Sequence, residues 1–166
     1  MSEPSSEEQD YRPVIIDPDG DLKLLAGEGQ YKTSLLVSSK VLCLASDVFR
    51  VMLYSSGLAE AQAFLANSVL NIGPTEISLP DDEAVGMQAL CELLHFRTPN
   101  PRNYVGVMVP AMIVAEKYNC ITAIAPWIGI NLPMDKCGSG GFESILPITF
   151  MIKNLDIFER AGREFL

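Results

Sequence analysis

Few residues in this 166-residue chain have the types and spacing that chemistry needs. Asp17, Asp19, Asp21 and Glu28 stand at positions one, three, five and twelve of a calcium-loop template, nearly the right spacing for four oxygen ligands. The sixth position of such a loop needs glycine for its sharp turn, and here it is Leu22, with Gly20 two residues early. No helix leads in, so the segment reads as a solvated turn. Any Ser-His-Asp or Cys-His device must pass through His95, the single histidine. It follows Leu93 and Leu94 at a helix end, where a histidine serves as a cap or meets the helix dipole. Asp81 and Asp82 adjoin a helix start, the place for capping carboxylates.

The other chemistry-bearing groups are equally sparse. Cys43, Cys91, Cys120 and Cys137 form no C-x-x-C pair, and the first three sit in apolar runs, as small buried hydrophobes do. For a zinc site only one histidine could help. Free thiols suit a reducing compartment, the cytosol or nucleus. Gly138–Gly141 lacks the Lys and Ser/Thr of a phosphate loop. Tyr31, Tyr104, Tyr118 and Trp127 are not interleaved with basic residues, so they form no base-stacking platform. These residues point to no enzyme, no metal and no cofactor.

The elements around them are those of a packing domain. Leu35–Leu53, reading LLVSSKVLCLASDVFRVML, moves from strand to helix. Leu35 and Val37 suit a buried strand. Ser38 and Ser39 offer hydroxyls to cap a helix. Val41, Leu42, Ala45, Val48, Phe49, Met52 and Leu53 then recur at helical spacing, over helices at 39–45 and 47–55. Upstream, Tyr11–Ile16 is a short extended segment, and Asp21–Ala26 with Gln30–Val37 flanks Gly27-Glu28-Gly29 as a hairpin. Residues 58–75 read as a partly ordered insertion, with Asn71, Gly73 and Pro74 breaking an Ala-rich run. Glu76–Leu79 is a strand. Asp81-Asp82-Glu83 opens a helix that buries Val85, Ala89, Leu90, Leu93 and Leu94. Asn103–Tyr118 is helical, with Pro110 near its start or kinking it, and Thr122–Ile130 is helical with Pro126 disturbing it.

Composition bounds the function classes. Hydrophobic residues make up 48% of the chain, enough for a core. The net charge of −9 argues against nucleic acid, which needs Lys and Arg on phosphates, and against an anionic membrane surface. No run reaches the roughly 18 apolar residues of a membrane span. MSEPSSEEQD lacks the basic start and apolar core of a signal peptide. The expected division is a disordered acidic tail at 1–10, one domain at 11–132, a flexible linker at 133–141 and a C-terminal helical extension at 142–166, most clearly helical over Asn154–Phe165.

Four segments in order resemble the BTB/POZ family, in the variant form met in fungal proteins. Val37, Leu42, Ser46 and Phe49 fall where its "V-H-K-x-x-L-x-x-x-S-x-x-F" signature wants them, with Ser38 and Ser39 replacing the His and the basic residue. Asp21-Leu22-Lys23-Leu24 is similar to its "D-V-x-L" strand, Ile77–Asp82 to its strand and turn, and Ala115-Glu116-Lys117-Tyr118 to its "A-D/E-K-Y" helix end. The resemblance implies an α+β fold, a small sheet capped by a cluster of helices. It implies protein–protein interaction, most simply a homodimer built from the N-terminal strand and first helix. Val14, Ile15 and Ile16 are then exposed in a monomer, and Val41 faces outward to a partner. A cullin, bound by a ubiquitin-ligase substrate adaptor, is the alternative partner. Family members bury an aspartate against a basic residue. Here Asp21 matches the aspartate and Ser39 takes the basic position, so Asp21 should be satisfied by Ser38 or Ser39 hydroxyls, by backbone N–H groups or by water.

Overall fold

The computed structural model describes residues 13–70, 72–99, 104–131 and 148–153, with residues 159 and 163. The expected acidic tail and linker lie outside the described residues. The architecture is mixed α+β. Strands β1 (Val14–Ile15), β2 (Leu22–Ala26), β3 (Thr33–Val37) and β4 (Thr75–Leu79) form one sheet in the order β1-β3-β2-β4. β2 and β3 are the expected antiparallel hairpin, with Leu24 opposite Leu35. Leu22, Leu24 and Ala26 alternate inward with no exposed surface, the two-residue period of a strand with one face in the core. β1 runs parallel to β3, and β4 parallel to β2.

The helices are α1 (Ser39–Ala45), α2 (Asp47–Tyr54), α3 (Ala59–Leu70), α4 (Ala84–Leu94), α5 (Tyr104–Lys117) and α6 (Ile121–Asn131). Ser46 separates α1 from α2, and its Oγ accepts the Phe49 N–H as the α2 N-cap. Phe49 and Leu53 then enter the core with Leu42, Leu90 and Met112.

Five expectations need correction. Residues 59–70 are a regular twelve-residue helix and not a loose insertion, because the breakers Asn71, Gly73 and Pro74 all follow it. α4 is capped by Glu83 alone, whose carboxylate accepts the Gly86 N–H, while Asp82 turns away from the helix. Val85 is 48% exposed, and Met87 and Cys91 fill the buried stripe in its place. Pro110 lies well inside α5 rather than near its start, and Pro126 lies inside α6. Finally, Ser38 caps α1 by position but makes no side-chain cap bond.

α4 and α5 pack closely at Gly86, where an added Cβ would stand 2.5 Å from the Pro110 carbonyl oxygen. Ile148 and Thr149 begin a helical turn and are buried, so this part of the C-terminal extension packs on the domain. No helix among the described residues is long and apolar enough to cross a membrane.

Candidate interaction surface

The start of α1 is held by side chains from two other elements. Its first N–H groups have no partner within the helix. Asp21, at the head of β2, supplies the missing cap: its Oδ1 accepts the Ser39 N–H at 2.7 Å and its Oδ2 accepts the Ser39 hydroxyl at 2.6 Å. The carboxylate also faces the positive end of the helix dipole. A cap of this kind is worth about 1 kcal/mol. Satisfaction of Asp21 by Ser39 agrees with expectation, but Asp21 is exposed rather than buried. The small Ser39, itself fully buried, leaves the carboxylate open to water.

The neighbouring N–H, that of Ser38, donates to His95 Nε2 at 3.0 Å. A backbone N–H can only donate, so Nε2 accepts, and Nδ1 carries the proton that goes to the Cys91 carbonyl at 2.7 Å. His95 therefore ties the end of α4 to the start of α1 in one tautomer. Two residues on, Arg97 Nη1 donates to the Ile15 carbonyl of β1 at 3.0 Å.

Phe96 lies between these two ties. The end of α4 is a Schellman motif: the Arg97 N–H donates to Glu92 O at 2.8 Å, and the Phe96 N–H to Leu93 O at 3.1 Å. Its left-handed position normally holds glycine, yet here it is Phe96, at φ 59°. The ring is 97% exposed. A bulky residue in this conformation stores strain of about 1–2 kcal/mol, and burial of its ring in the monomer returns nothing against it.

The expected interface residues divide. Ile15 is 53% exposed on the edge strand, but Val14 is half-buried and Ile16 is in the core. Val41 is half-buried against the core, and the exposed apolar residue of α1 is Leu44, at 89%. A seven-residue helix offers too few turns for its spacing alone to say which side faces the sheet. Phe96 and Leu44 are the residues the sequence reading missed. Phe96 carried no signal, since no Gly or Asn marks the left-handed position at the end of α4.

Elsewhere the polar groups serve the fold. Asp82 is buried, accepting from Lys117 Nζ and from Tyr118 OH, each at 2.7 Å. The Tyr118 carbonyl accepts the Ser46 hydroxyl, and its ring stacks on Phe49 at 4.2 Å. Burial and then the Asp82 contact push the Tyr118 hydroxyl pKa well up. Burial likewise raises Cys91, carries Cys120 to about 11, and raises Cys43. Thiols held neutral in this way are poor nucleophiles and poor metal ligands. Asp17 Oδ1 accepts the Asp19 N–H, and Asp21 turns to Ser39, so the four calcium-template carboxylates are not brought together. Among the described residues no cluster of three metal-ligating groups forms.

The chain matches no protein-family model, and no curated protein matches it.

Proposed function

We propose that this chain is a protein–protein interaction module that self-associates through a surface built from β1, the start of α1 and the α4 end. One observation carries the reading: Phe96 is held in a strained left-handed conformation with its ring in solvent. Strain of this kind persists where the surroundings over-determine it, and it concentrates at functional sites. Here the surroundings are the His95 tie to α1 and the Arg97 tie to β1. They hold the backbone on either side of Phe96 to α1 and β1, and aromatic side chains are enriched where interfaces form. β1 is the edge strand of the described sheet. The BTB/POZ resemblance supports the same surface, since that family pairs through its N-terminal strand and first helix.

Phe96→Asn is the direct test. Asparagine tolerates the left-handed conformation and removes the ring. Light scattering at tens of micromolar should give a dimer mass for the intact chain and a monomer mass for Phe96→Asn. Equal masses would sink the reading.

A further inference from the structure

α3 touches the rest of the described structure along a narrow line. Ala61 and Phe64 are its buried residues, and the Phe64 ring meets Tyr54 edge-on at 5.6 Å. Leu65 and Val69, four apart on one face, are 42% and 84% exposed, and Leu70 and Ile72 continue the apolar surface outward. From Ala61 to Thr75 the chain contains no Asp, Glu, Lys, Arg or His. A helix this apolar on most of its sides belongs in an interior. Here it lies on the outside of a protein with net charge −9.

The neutrality of the patch selects what covers it. A basic partner finds no carboxylate beyond Glu60 in the first turn. An anionic membrane surface is attracted by Lys and Arg, which α3 lacks, and repelled by the net charge. A second copy is the case that neutrality suits. A two-fold contact sets one patch against itself, so any charge on it would meet its like at short range. A charge-free patch is where two chains of −9 meet at the least electrostatic cost.

We propose that α3 is a second self-association surface, packing antiparallel against α3 of another copy and separate from the Phe96 surface. A helix of twelve residues spans about 18 Å. Such a contact falls short of the roughly 1,200–2,000 Å² of a stable interface, so association through it is weak and depends on concentration. With two different two-fold surfaces on one chain, dimers join into larger assemblies.

Sedimentation velocity on the full chain, from micromolar to several hundred micromolar, tests this with Val69→Glu and Val69→Leu. Position 69 is exposed, so both variants should keep the far-UV circular dichroism of the parent. At the highest concentration Val69→Glu should sediment as a smaller species than the parent, with association weakened roughly tenfold or more by the buried charge. Val69→Leu should match the parent. The comparison is independent of Phe96, because Phe96→Asn should still associate at high concentration and the double variant Phe96→Asn/Val69→Glu should not. If Val69→Glu sediments like the parent at every concentration, the α3 surface is wrong, whatever Phe96→Asn does.

Discussion

The ends of α4 and α5 use one backbone device with two different residues. At the end of α5 the Cys120 N–H donates to Ala115 O at 2.8 Å and the Asn119 N–H to Glu116 O at 3.0 Å, the bond pattern found at the end of α4. Asn119 takes the left-handed position at φ 51°, Phe96 at φ 59°. Asparagine accepts that conformation through its short polar side chain, whereas phenylalanine does not. The α5 end is also wired inward, through Lys117 and Tyr118 to buried Asp82. The α4 end is wired outward, to β1 and α1, with its aromatic ring in water. One terminus is built for folding alone. The other carries a residue that folding does not favour, which is why the proposed function rests on it.

Variants should separate the two ends. The largest effect belongs to Asp82→Ala, which leaves the buried Tyr118 hydroxyl without its acceptor and should cost about 2–3 kcal/mol in denaturant unfolding. Next comes Asn119→Phe, which imposes on α5 the residue that α4 already carries, at about 1–2 kcal/mol. Phe96→Asn should move stability the other way, up by about 1 kcal/mol, while it loses association. A destabilised Phe96→Asn would show that the ring serves the fold and would dissolve the contrast. Smallest is His95→Ala, about 0.5–1.5 kcal/mol for its hydrogen bonds, with faster amide exchange at Ser38 than in α5.

Alternation and turn residues made the hairpin legible in the sequence, and dense helical spacing placed α1 and α2 nearly to the residue. Those signals are local. α3 was hidden because three breakers in Asn71–Pro74 coloured the Ala-rich run before them. Asp82 read as a cap because it adjoins a helix start, and nothing local announces a partner such as Tyr118, just past α5. For Asp21 the sequence left Ser38, Ser39, backbone N–H groups and water open, and the structure selects the N–H and hydroxyl of Ser39. Phe96 escaped because an apolar residue after Leu93 and Leu94 looks like one more member of a buried stripe. The sign of φ shows in a sequence only where glycine or asparagine marks it, as at Asn119.

Amide hydrogen exchange of the intact chain at low and high concentration tests the central claim most directly. Burial of the Phe96 surface should slow the amides of Ile15, Ser38, Ser39 and Phe96 as concentration rises, while amides within α5 stay unchanged. Exchange at those four positions that is the same at every concentration would contradict the claim.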